Sequence, residues 1–197
     1  MKKGILLGAL VVGLGLAGGL VACRTVPVVR DSAAPFEQVL LAVAGQPNVT
    51  AGSPAEAQGI ANVKALLGNL TVENIRSLTA KAYTPDAYLN DTLKTLRGAA
   101  AIEAYFLATA ATAESVTAQF QDVTRGEDGL YTFRWVMETR LKKIAQGQVI
   151  RTLGISLIRF DEQGRVLIHQ DYWDSAQGLF EHVPLLGRGI RAIKARL

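Results

Sequence analysis

Tyr131-Thr132-Phe133-Arg134-Trp135-Val136-Met137-Glu138-Thr139-Arg140-Leu141 is the stretch that decides the fold. On an extended chain Tyr131, Phe133, Trp135, Met137 and Leu141 share one face, opposite Thr132, Arg134, Glu138 and Arg140. An apolar, aromatic-rich face alternating with a polar one predicts a half-buried strand. The same period runs upstream, where Val116, Ala118 and Phe120 alternate with Thr117, Gln119 and Gln121. Gly126-Glu127-Asp128-Gly129, Gln146-Gly147 and Asp161-Glu162-Gln163-Gly164 supply turns between successive strands. Four long antiparallel strands are therefore predicted after Ala113.

The residues before Ala113 keep a helical period instead. Ile60, Val63, Leu67 and Leu70 form one stripe, and Val72, Ile75 and Leu78 repeat it behind Thr71, a predicted N-cap. Tyr83-Thr84-Pro85-Asp86 ends this helix pair, and Ala87 to Asp91 reads as a short strand. Gly98 then opens a third helix, with Ile102, Tyr105 or Phe106, and Ala110 turned inward. Helices followed by strands predict an α+β fold, a curved antiparallel sheet wrapped around three N-terminal helices. A short C-terminal helix closes the chain. Its stripe of Leu186, Ile190, Ile193 and Leu197 faces away from most of Arg188, Arg191, Lys194 and Arg196. That pattern suits a helix docked on the domain or one lying on lipid.

The N-terminus is organised differently. Lys2 and Lys3 precede the uncharged run Ile5 to Ala22, which ends in Leu20-Val21-Ala22-Cys23. A positive start, an apolar run and a small residue before the cut describe a secretory signal. The tetrapeptide resembles the lipobox of bacterial lipoproteins, in which the cysteine takes a diacylglycerol and becomes the new N-terminus. Expected boundaries are a signal over 1–22, a tether over 23–54 and a domain over 55–197. The tether is rich in Ala, Val, Pro, Gly and Ser, although Ala34 to Ala44 could form a short helix. Lipidation at Cys23 would place the protein in the cell envelope. Arg24 is not the Asp that retains some Gram-negative lipoproteins at the inner membrane, so the periplasmic side of the outer membrane is expected.

Composition narrows the chemistry. The formal charge of +4 falls to +2, 19 basic against 17 acidic residues, once Lys2 and Lys3 leave. Four cations of the C-terminal helix account for more than that surplus, so no nucleic-acid surface is expected. Cys23 is the only cysteine and His169 and His182 the only histidines. With Cys23 lipidated, thiolate catalysis and cysteine metal sites are excluded, and no metal or other cofactor is expected. Gly13-x-Gly15-x-x-Gly18 mimics a dinucleotide fingerprint but lies in the signal, with no strand before it.

The densest polar signal is His169-Gln170-Asp171-Tyr172-Trp173-Asp174, at the end of the last strand. His169, Asp171 and Trp173 share a strand face. If that face is concave, an imidazole and a carboxylate meet among apolar groups such as Trp135 and Tyr131, where burial poises them for proton transfer. The competing reading is structural: the acids cap helices or pair with Arg134 and Arg159, and the histidine is a satisfied core residue.

The helix pair, the run Tyr83-x-Pro85-Asp86-x-Tyr88-x-Asn90-Asp91, the helix after Gly98, the four strands and His169 to Asp174 together resemble the SnoaL-like branch of the nuclear transport factor two superfamily. The resemblance covers about Ala55 to Leu197. It implies a cone of curved sheet and helices, open at one end to an apolar pocket and often dimeric through the sheet. Enzymes of the superfamily include polyketide cyclases, ketosteroid isomerases and limonene-epoxide hydrolases. The carboxylate of the hydrolases maps onto Asp171. Their Arg-x-Asp pair does not carry over, because the matching inward positions are Trp135 and Met137. The pocket is expected to hold Asp171, His169, Trp173, Trp135 and Tyr131, with Tyr88 and Asp91 at its mouth. Two readings stand. One is a tethered pocket that binds a small apolar ligand or a partner; the other is an acid–base enzyme of isomerase, cyclase or hydrolase type using Asp171 and His169.

Overall fold

A computed structural model describes residues 31–197. Cys23 and the expected signal lie outside the described residues. Residues Gln38–Leu197 form one compact unit. Helix α1, Ala34–Val43, falls in the stretch read as a tether.

Helix α2, Pro54–Gly68, starts where Ser53 accepts a hydrogen bond from the Glu56 amide at 3.2 Å and Pro54 fixes the first turn. Glu56 reaches back to the Gly52 amide at 2.5 Å, so both ends of this start are tied. Helix α3, Val72–Ala82, is capped by Thr71 through the Asn74 amide. Ordered packing begins before Ala55: Val49 is fully buried, and the Asn48 amide group donates to the Gly129 carbonyl at 2.8 Å.

The chain then leaves the helix for strand β1, Tyr83–Asn90, with no loop between them. Pro85 has no N–H to give, and the pairing of β1 slips between Tyr83 and Tyr88. Strand β2, Thr95–Arg97, and helix α4, Ala99–Thr112, follow, the latter entered through Gly98. Strands β3 (Ala113–Arg125), β4 (Tyr131–Leu141), β5 (Val149–Phe160) and β6 (Val166–Trp173) complete a six-stranded sheet in the order β2-β1-β6-β5-β4-β3. The expected sheet was wholly antiparallel. It is mixed, because β1 pairs parallel with β6.

The strand parity is as the alternation requires. Tyr131, Phe133 and Trp135 are buried, whereas Arg134 pairs with Asp122 at 2.6 Å on the exposed face. Tyr131, Phe133 and Phe160 interlock edge-to-face at 5.0 and 6.4 Å between ring centroids and fill the closed end of the cone. There α2 touches the β5–β6 turn, and a side chain on Gly59 would collide with the Gly164 carbonyl. Beyond β6 a single helical turn, α5 (Ser175–Gly178), leads to helix α6, Leu186–Lys194.

Candidate functional site

The concave face and the helices above it enclose a cavity of about 280 Å³. Its walls are mainly apolar: Leu67 and Leu70 from the α2 end, Phe106 from α4, Phe120 from β3, and Trp135 and Met137 from β4. Sheet register makes room for its indoles. Gly154 on β5 stands opposite Trp135 on one side and Trp173 on the other. A Cβ at Gly154 would strike the Trp135 ring, so glycine is what lets that ring lie flat on β5.

One connected polar group breaks this apolar lining. Register sets Ser156 directly across from Asp171, and the serine hydroxyl donates to Asp171 Oδ1 at 2.5 Å. The Trp135 indole N–H donates in turn to Ser156 Oγ at 2.9 Å. His169, two residues before Asp171 and so on the same face, places Nε2 at 2.8 Å from the same Oδ1. Its Nδ1 lies 2.7 Å from the Tyr83 hydroxyl. Burial, with the Asp171 charge as a second cause, holds the Tyr83 phenol well above its ordinary pKa. A carboxylate oxygen accepts, so the imidazole N–H at this contact is on Nε2, and in the neutral ring Nδ1 then accepts from the Tyr83 hydroxyl. Oδ1 is thus doubly held, whereas no described residue donates to Oδ2. The carboxylate side chain keeps 16% exposure at the cavity wall.

Asp91 organises the β1–β2 loop beside the cavity. Its Oδ1 caps the Leu93 and Lys94 amides, its Oδ2 accepts from the Tyr105 hydroxyl, and its carbonyl takes the Trp173 indole N–H at 2.8 Å. Loop, α4 and β6 are joined through this one residue. Burial first and Asp91 second raise the Tyr105 phenol well above its ordinary pKa, which keeps it a donor.

Asp171, His169, Trp135, Trp173 and Asp91 all line the cavity. Tyr131 and Tyr88 do not, which corrects the expectation for both. Tyr131 is on the inner face, but four residues before Trp135, about 13 Å along a strand at 3.3 Å per residue. It is buried at the closed end and bonds Glu56 Oε1 at 2.5 Å. Tyr88 pairs with Ile168, the opposite parity from His169. It therefore lies on the outer side of the sheet, bonded to Gln170 and stacked under Arg97 at 4.8 Å. Two site members were not foreseen. Ser156 is a hydroxyl on the inward row of β5 beside Ile158 and Phe160, a recognisable buried-polar signal. Tyr83 gave none, because it was read as the end of a helix. Among the described residues no three His, Cys, Asp or Glu side chains are grouped to hold a metal.

Helices stacked in the concavity of a strongly curved sheet, with a carboxylate on the last strand, define a nuclear transport factor two-like fold. The sequence pattern of the SnoaL-like domain matches residues 50–169, more than half of the chain. The chain belongs to the SnoaL-like domain family. Solved structures agree. A Catenulispora acidiphila protein of ketosteroid isomerase-like fold, in complex with trimethylamine, is 21% identical over 60% of this chain and 88% of its own, with a TM-score of 0.52. An epoxide hydrolase from M. tuberculosis resembling limonene-epoxide hydrolase is 16% identical over 73% of this chain and 100% of its own, also at 0.52. TsrD from Streptomyces laurentii is 17% identical over 70% and 98%, at 0.54. At these identities the likeness is one of fold. No functionally curated protein matches the sequence.

Proposed function

We propose that this protein is a membrane-tethered acid–base enzyme that binds a small, mostly apolar substrate in the cone and removes a proton from it with Asp171. The single observation behind this reading is the asymmetry of the carboxylate. Oδ1 is fixed by Ser156 and His169, Oδ2 accepts from no described residue, and the side chain lines a mainly apolar cavity. A base so held is aimed before the substrate arrives, so no reorganisation of the carboxylate is needed at the moment of proton transfer. His169 orients the base; Tyr83 holds His169 in the tautomer that can do so. Ketosteroid isomerase-like and epoxide hydrolase neighbours are compatible with such chemistry but do not assign it.

The tether is the acylated Cys23, in the envelope location expected above. Cys23→Ser should abolish partitioning into a detergent phase; normal membrane recovery of that variant would refute the tether. A homodimer through the sheet has support on the outer face. There Leu153 pairs with Val136 and Ile155 with Tyr172, and Leu153 and Tyr172 are well exposed.

The catalytic reading is tested by native mass spectrometry against a library of small carbonyl compounds and epoxides, followed by turnover of whatever is captured. An amide at position 171 still accepts from Ser156 and His169, so Asp171→Asn should fold and bind. It should lose about 100-fold or more of the turnover, the usual contribution of a general base. Capture without turnover by the unaltered protein would instead identify a binding domain.

A further inference from the structure

Helix α6 docks on the domain by its polar side. Lys194 Nζ reaches Glu181 Oε1 at 2.6 Å and Arg191 donates to the Glu181 carbonyl at 2.8 Å. Between them Gly187 is buried so tightly against that carbonyl that no side chain would fit. At 100° per residue these contacts lie about a quarter-turn from the apolar stripe. Most of the stripe is consequently left outside: Leu186 is 49% exposed, Ile193 64% and Leu197 fully, while Ile190 is half-buried. Arg196 borders the stripe about a quarter-turn away, whereas Arg188 lies on the opposite side of the helix, and neither has a carboxylate side chain against it among the described residues. Residues 1–30 contain no Asp or Glu that could serve.

We infer that α6 is a second membrane contact, lying flat on an anionic lipid surface. Leu186, Ile193 and Leu197 enter the boundary between headgroups and acyl chains, and Arg196 at the edge of the stripe meets lipid phosphates. A docked terminal helix ordinarily buries its apolar stripe and shows its charges. Here two cations are held by Glu181, and the outward side combines large aliphatic groups with an arginine at their edge, the composition that interfacial helices use. Arginine suits it, since its aliphatic stem can lie along the lipid while the guanidinium stays at the phosphates. The inference rests on the proposed tether only for bringing the helix to a membrane.

The test uses the full chain with Cys23→Ser, so that no acyl chain contributes and no other thiol competes, carrying Ile193→Cys labelled with an environment-sensitive fluorophore. It is mixed with vesicles of phosphatidylcholine alone or with phosphatidylglycerol added. On the anionic vesicles the emission should shift to the blue and be quenched by nitroxides on the acyl chains. Both effects should fall several-fold on neutral vesicles, in high salt, and in an added Arg196→Glu. A label that stays in water on both vesicles overturns the inference. So does a blue shift that needs no vesicle and grows with protein concentration, which would mean that a second copy covers the stripe. The tether fails separately, by the absence of acyl mass on Cys23 in chain purified from envelopes.

Discussion

Tyr83→Phe removes one oxygen from the interior and tests the whole polar group. Tyr83 and His169 are each 1% exposed, and their hydrogen bond is 2.7 Å long. Water therefore cannot take the hydroxyl's place, and Nδ1 of His169 is left as a buried acceptor without a donor. Such a loss costs about 1–3 kcal/mol. For a folded unit of this size that corresponds to a melting-temperature drop of roughly 2–12 °C, taking about 2–4 °C per kcal/mol. Urea unfolding followed by tryptophan fluorescence measures it directly, because Trp135 and Trp173 both border the cavity. A double-mutant cycle with His169→Leu isolates the pair, and a coupling of at least about 0.5 kcal/mol is expected. Turnover should fall in Tyr83→Phe while ligand capture persists, because the imidazole loses the contact that fixes its tautomer. A stability loss below about 0.5 kcal/mol with no coupling would refute the hydrogen bond and the orienting role built on it.

Glu56→Gln should flatten the acid limb of the stability curve. The Tyr131 hydroxyl holds the folded carboxyl below its ordinary 4.5, so Glu56 stabilises above that value and ceases to as pH falls through the lower folded one. Tyr131 is pushed up to about 12, by burial first and then by Glu56. Its contribution is complete below pH 10 and lost as pH rises toward 12, so Tyr131→Phe should flatten the alkaline limb; chemical denaturation across pH reads both. Gly154→Ala drives a methyl into the Trp135 ring and should cost about 1–3 kcal/mol. It should also abolish ligand capture in native mass spectrometry, since the ring can yield only into the cavity. The unaltered chain should be a dimer by light scattering and Leu153→Asp a monomer; equal masses would remove the outer sheet face as the interface.

What was legible in the sequence followed from periodicity. The alternation over Tyr131–Leu141 marks the strand and its buried face, because a buried strand face leaves only one parity open to Trp135. His169, Asp171 and Trp173 came together for the same reason. What periodicity does not carry is how far along a strand a residue sits, and which strand lies beside it. Tyr131 has the right parity and the wrong depth. Tyr88 has the wrong parity, and its side of the sheet follows from the parallel pairing of β1 with β6, a long-range contact that no local pattern announces. Tyr83 was missed because the change from helix to strand at Ala82–Tyr83 has no turn to mark it.

The polar group joins these two kinds of information. Tyr83 stands at the head of β1, His169 and Asp171 on β6, Ser156 on β5 and Trp135 on β4, so its hydrogen bonds tie four of the six strands. A one-residue slip in any of them would carry its member to the outer face, and the carboxylate would be left in an apolar cavity with fewer donors. The same contacts that select the register therefore place the base, and the folding cost of burying Asp171 is offset by the donors that orient it. Stabilisation alone would be served better by filling every acceptor. The arrangement ties Oδ1 twice and leaves Oδ2 without a donor among the described residues, on a side chain that lines the cavity.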